Sequence, residues 1–196
     1  RLRNIRLAVE RIAFGWGGGL CFDLNPAFAW LLRQLGAKAR LVSSWVVSPA
    51  GFAPSATHVT VIVDFPDGSY IADPGFGDSP RMAVRTDGET ADDLAMFEVV
   101  SLGEAERPAV GFEKILRRFR SATSLCARLD NPDVAVSDAL LEVAVMGLFA
   151  FRANDNLAYD AEEVLQCVQS LVVPGGSPFS ERRILCLGLP KGHIVL

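Results

Sequence analysis

The hydrophobic period changes at Gly36, and that change constrains the fold of this 196-residue chain more than any other feature. Before it, Leu2, Ile5, Val9 and Ile12 recur at three- and four-residue steps, the spacing of an amphipathic helix over residues 2–14. Leu24, Phe28, Leu31, Leu32 and Leu35 repeat the pattern in a second helix over residues 21–35, which Gly36 ends as a C-cap. Pro26 falls near the first turn of that helix, where a missing N–H costs little. After Gly36 the chemistry is that of β-structure. Arg40–Val47 and Thr57–Phe65 read as strands, and Pro66-Asp67-Gly68 is a hairpin turn into Ser69–Ala72. Asp73 to Pro80 is too rich in Gly and Pro to continue the ladder.

Further along, Phe97 to Ala127 predicts two or three strands around turns at Gly103 and Pro108. Val134–Phe151 fits a helix or a strand pair, and its Ala, Leu and Met content favours the helix; acidic residues open another over Asp160–Leu171. Pro174-Gly175-Gly176-Ser177-Pro178 leads into two closing strands, Arg183–Leu187 and Gly192–Leu196, with His193 expected at a turn. The expected domains are a helical segment over 1–38, a β-barrel over 39–128, and a C-terminal α/β lid region over 129–196, expected to be incomplete. The chain opens inside a helical pattern without Met and stops inside a strand pattern, which reads as a piece of something longer.

Composition removes several classes of function. Half the residues are hydrophobic and the mean hydropathy is +0.27. The longest apolar stretch, Val143–Phe151, is nevertheless far shorter than the about 20 residues a bilayer span needs, so the excess reads as core plus a buried pocket or interface, and no membrane partner is expected. The net charge is −4 and no Lys/Arg run carries interleaved aromatics, which argues against nucleic acid. The four cysteines show neither CxxC pairs nor metal-ligand spacing. Reduced thiols in a cytoplasm, with no metal, are the simplest account. Cys126, Cys167 and Cys186 lie in apolar contexts and read as packing.

Cys21 is different. The run Gly17-Gly18-Gly19-Leu20 delivers it to the start of the second helix, where unpaired backbone N–H groups and the positive end of the helix dipole favour a thiolate. The chain has only two histidines, and His58 stands at the start of one hairpin strand while Asp73 ends its partner. Cys21, His58 and Asp73 therefore form a candidate catalytic triad with separations of 37 and 15 residues. His58 would take or share the thiol proton, and Asp73 would fix its tautomer and stabilise the imidazolium. The helix-start N–H groups would hold an oxyanion. Gly17–Gly19 lacks the preceding strand and the Lys-Ser/Thr of a phosphate loop.

Three motifs in order make the sequence resemble the arylamine N-acetyltransferase family. Gly18-Gly19-Leu20-Cys21-Phe22-Asp23-Leu24-Asn25 is similar to the family's R-G-G-x-C-F-E-L-N. His58 opens a strand leading to Val61-Ile62-Val63, and Tyr70-Ile71-Ala72-Asp73-Pro74-Gly75-Phe76-Gly77 is similar to y-x-v-D-V-G-F-G. Ser177-Pro178-Phe179 is a weaker fourth match. The resemblance is close over residues 10–85 and faint afterwards. Three positions depart from it: Gly17 stands where the family has arginine, Asp23 where it has glutamate, and Pro74 where it has a small apolar residue.

The resemblance implies an α+β fold with a cysteine-protease-like core: a helical segment carrying the nucleophile, an antiparallel β-barrel carrying His58 and Asp73, and an α/β lid. It implies acetyl transfer from acetyl-CoA, a co-substrate rather than a tightly bound cofactor, through an acyl-Cys21 intermediate to an arylamine or hydrazine. Phe76, Val46 and Phe22 correspond to residues of the substrate pocket, and Arg117-Arg118-Phe119-Arg120 reads as a solvated face rather than a contact for a CoA phosphate. The alternatives are an amide synthase drawing on a carrier-bound polyketide thioester, a thiol hydrolase or transglutaminase using the same triad, and a degenerate member that binds without turnover.

Overall fold

The helical period before Gly36 becomes α1, Ile5–Phe14, and α2, Cys21–Gln34. The structure is a computed structural model that describes residues 5–15, 18–48, 51–53, 55–77, 80, 82–91, 95–103, 111–120, 145–158, 161–175, 177–181, 184, 186–189 and 192–195. Pro26 falls at the sixth residue of α2 rather than in its first turn, because the helix begins at Cys21 itself. The later helices are α3, Glu162–Val172, and a single turn, α4, Pro178–Glu181. No described helix is long and apolar enough to cross a membrane.

The strands form a curled antiparallel sheet. In chain order they are β1 (Lys38–Ser48), β2 (Gly51–Phe52), β3 (His58–Phe65), β4 (Gly68–Ile71), β5 (Val84–Arg85), β6 (Glu89–Ala91), β7 (Ala95–Ser101), β8 (Lys114–Arg120) and β9 (Val145–Phe151). Their spatial order is β5-β4-β3-β1-β9-β8-β7-β6, with β2 pairing β1. The two ends approach each other, for β5 contacts both β6 and β7. The result is a nearly closed antiparallel barrel. A separate hairpin, β10 (Cys186–Leu189) with β11 (Gly192–Val195), follows.

Both faces of the central strands are covered. Val42, Ile62, Ile71, Phe97, Leu116 and Phe149 fill the concave side. On the other side Phe22 and Ala29 of α2, with Val164, Cys167, Val168 and Leu171 of α3, pack over Leu41, Val59, Val61 and Val63. The run His58-Val59-Thr60-Val61-Ile62-Val63 is buried throughout, so β3 is covered on both faces rather than alternating between buried and exposed. Successive side chains still point to opposite faces, which sends His58, Thr60 and Ile62 inward.

Three expectations change. Residues 145–151 are strand β9, not the end of a helix; the other residues of the expected helix, 134–144, lie outside the described residues. Leu148, Phe149, Ala150 and Phe151 are buried, and β9 sits between β1 and β8. A continuous apolar run does not separate a buried strand from a buried helix by periodicity, and pairing on both edges decided it. The barrel's strands thus run past residue 128. His193 is in strand β11, opposite Gly188, rather than at a turn. Arg118 is 6% exposed inside the barrel rather than on a solvated face.

Candidate active site

His58 and Asp73 are brought together by the β3–β4 hairpin. Its register pairs Ile62 with Ile71 and Val63 with Tyr70, and Ala72 N–H continues it to the Val61 carbonyl at 3.0 Å. Extending that register sets Asp73 opposite Thr60, with His58 one inward-facing position further along β3. Asp73 Oδ2 accepts both neighbours at 2.6 Å: Nε2–H of His58 and the Thr60 hydroxyl. Its Oδ1 accepts from Asn25 Nδ2 at 2.7 Å and from Gly75 N–H at 3.0 Å.

Cys21 comes from the opposite side, at the start of α2. Nε2 of His58 is held by Asp73, and the Cys21 side chain acts on the same imidazole. The His58 side chain is 3% exposed and that of Asp73 0%, whereas Cys21 is partly open. Burial works against a charged imidazole, but Asp73 and Cys21 outweigh it and raise the His58 pKa from 6.5 to about 10. Burial likewise works against a charged Asp73; His58, Thr60 and Asn25 overcome it and hold the carboxyl below its ordinary value. Both directions describe a buried imidazolium–carboxylate pair.

Asn25 joins the two halves of the site. It is wholly buried, and its amide donates to the Val59 carbonyl at 2.5 Å and to Asp73 while its Oδ1 accepts Gly75 N–H at 2.9 Å. Gly75 is required for this closeness: a Cβ there would lie 2.8 Å from Cys21 Cα and 2.8 Å from Asn25 Oδ1. Sequence reasoning quoted Asn25 and Gly75 within motifs without assigning them a task, and it passed over Thr60. The spacing of Asn25 four residues after Cys21, on the same helix face, was the available signal for Asn25.

Of the expected pocket residues, two flank the triad. The Phe76 ring meets His58 edge-on at 5.2 Å between centroids and Phe149 at 5.1 Å. Val46 is the β1 partner of Phe149. Phe149, which also lies 5.1 Å from His58, completes the aromatic wall and was hidden in the segment read as helix. Phe22 does not join them: it is 1% exposed in the core beneath α2, because one step along a helix turns a side chain about 100° away from its neighbour. Cys167 is buried as expected, and burial, with Glu163 and Cys21, raises its pKa to about 11. Cys126 and Gly17 lie outside the described residues. No described group of three or more His, Cys, Asp or Glu could hold a metal ion.

A helix-borne thiol close to a barrel-borne imidazole, itself bonded to a buried carboxylate, makes this an α+β protein carrying the side chains of the thiol–imidazole–carboxylate class. Within that class the chain belongs to the arylamine N-acetyltransferase family: the N-acetyltransferase family model matches residues 9–196. It is 38% identical over 69 residues to an arylamine N-acetyltransferase / N-hydroxyarylamine O-acetyltransferase of Salmonella typhimurium, a match covering 35% of this chain and 25% of that protein. The fold is similar to that of a Bacillus cereus arylamine N-acetyltransferase, with a TM-score of 0.75 at 20% identity over 100% of this chain and 67% of that one. That enzyme is described as having a Cys-His-Glu triad; the carboxylate here is Asp73. A Mycobacterium marinum arylamine N-acetyltransferase in complex with CoA is also similar, with a TM-score of 0.69 at 19% identity over 98% of this chain and 62% of that one.

Proposed function

We propose that Cys21, His58 and Asp73 are the catalytic triad of an arylamine N-acetyltransferase that takes its acetyl group from acetyl-CoA. One observation carries the reading: His58 is held between Asp73 and Cys21, buried, with its charged form favoured. Such an imidazolium stabilises a thiolate at Cys21. In the first half-reaction the thiolate attacks the thioester carbonyl, the oxyanion is held by first-turn N–H groups of α2, and collapse expels CoA thiolate, which takes the proton from His58. In the second, an arylamine or hydrazine nitrogen attacks the acetyl-Cys21 carbonyl. His58 accepts the nitrogen's proton, and the Cys21 thiolate leaves, restoring the imidazolium–thiolate pair.

The acetyl-enzyme must survive until an amine arrives. Phe76 and Phe149 pack on His58 and, with Val46, supply an apolar border that disfavours water and suits a flat aromatic acceptor. The M. marinum complex with CoA supports a CoA thioester as donor.

The test is to incubate the protein with acetyl-CoA and follow CoA release and intact mass. The expected adduct is one acetyl group, absent in Cys21→Ala and discharged by an arylamine. A protein whose Cys21 alkylates readily but takes no acetyl group would refute acetyl-CoA as donor. Steady CoA release without amine would refute transfer in favour of hydrolysis.

A further inference from the structure

Asp23, the third residue of α2, governs the turn that presents Cys21. Its Oδ2 accepts the Leu20 N–H at 3.2 Å, and the Leu20 carbonyl in turn accepts the N–H groups of Asp23 and Leu24 at 2.9 Å. Leucine has no side-chain acceptor with which to cap a helix, so this carboxylate secures the helix start from within. The preceding loop is folded tightly onto it, for a Cβ at Gly19 would lie 2.6 Å from Asp23 Cβ. The carboxylate is buried, and its Oδ1 lies 2.7 Å from Nη2 of Arg11 on α1. The Asp23 side chain is 10% exposed and that of Arg11 48%, so the guanidinium reaches in from solvent to cover a charge the fold has largely desolvated.

That charge stands two residues from Cys21. A bare carboxylate there would repel a thiolate and oppose its formation. We propose that Arg11 is a positioning residue for Cys21: it neutralises Asp23, so that the carboxylate keeps the helix start closed without adding net negative charge to the turn that carries the sulfur. Cys21 also interacts with His58, which Asp73 backs, and with Cys167 of α3. Glu163, which acts on Cys167, is itself 3.5 Å from Arg152. Among the described ion pairs, the cation that balances the helix-start carboxylate is Arg11 of α1.

The inference rests on Cys21 as the nucleophile, and its test uses no acyl donor, so its failure is distinct from failure to acetylate. The rate of Cys21 alkylation by iodoacetamide is measured against pH by peptide mass for the wild type, Arg11→Gln, Arg11→Lys, Asp23→Asn and the Arg11→Gln/Asp23→Asn double variant. In Arg11→Gln the pH of half-maximal rate is expected to rise by about one unit, with an about tenfold slower reaction at pH 7. Arg11→Lys retains most of the wild-type profile. Asn can still accept the Leu20 N–H, so Asp23→Asn reacts at least as fast as wild type, and the double variant recovers the rate that Arg11→Gln loses. An unshifted profile in Arg11→Gln with wild-type circular dichroism would overturn the proposal. So would a slow Asp23→Asn, or a double variant no faster than Arg11→Gln, since either would mean that the pair acts only through structure.

Discussion

Replacing Asn25 with alanine tests whether one amide joins the helix to the barrel. The amide uses both of its N–H donors, on the Val59 carbonyl and Asp73 Oδ1, and accepts one bond from Gly75 N–H. A flipped amide would set its oxygen against a carbonyl and a carboxylate, so its orientation is fixed by its partners. In Asn25→Ala the Val59 carbonyl is stranded in a dry interior, at roughly 1–3 kcal/mol, and Asp73 loses a charge-assisted bond worth about 1.5–3 kcal/mol. Gly75 N–H keeps Asp73 and loses less. The expected destabilisation is about 4 kcal/mol, which for an m-value of about 2 kcal/mol/M lowers the urea midpoint by about 2 M. Thr60→Val is the internal comparison, because it removes only the hydroxyl donor to Asp73 and should cost about 2 kcal/mol. Equilibrium unfolding followed by tryptophan fluorescence gives both numbers. A cost for Asn25→Ala no greater than that for Thr60→Val would refute the reasoning, because the amide would then serve Asp73 alone and join nothing.

Three further outcomes are expected. Gly75→Ala forces a methyl group against Cys21 Cα and should cost about 2–3 kcal/mol and slow acetylation of Cys21, whereas Gly18→Ala, which meets nothing within 4 Å, should change stability by less than about 1 kcal/mol; urea titration and intact-mass kinetics check both. The His58 pKa is raised from 6.5 to about 10, so the stability it contributes is whole below pH 6.5 and is lost as pH rises through 10, while that of Asp73, whose carboxyl is lowered from 3.8, is lost as pH falls below that value. Urea midpoints between pH 6.5 and 10 should therefore fall more steeply in the wild type than in His58→Gln, and parallel slopes would contradict the buried ion pair. Phe76→Ala removes the ring packed on His58 and Phe149 and should raise the ratio of acetyl-CoA hydrolysis to amine transfer several-fold, read as CoA release with and without an arylamine.

Local chemistry made much of this protein readable before any coordinates. The helices around Cys21, the strands bearing His58 and Asp73 and the turn between them follow from period and turn residues within short windows, where near neighbours dominate. The motifs around Cys21, His58 and Asp73 carried the family resemblance for the same reason. Residues 145–151 could not be assigned that way, because an apolar run buried on both faces takes its conformation from the strands that pair with it. Arg118 follows the same logic: its side of β8, not its neighbours in the chain, decided that it would be inside. Distance along the chain likewise concealed the bridge from Asn25 to Val59, Asp73 and Gly75, the ring of Phe149 against His58, and the reach of Arg11 to Asp23. The sequence by itself determined which groups are proposed to carry the chemistry. Only the tertiary structure decided which of them are buried together, and it is the partners so brought together, acting against burial, that favour the charged pair.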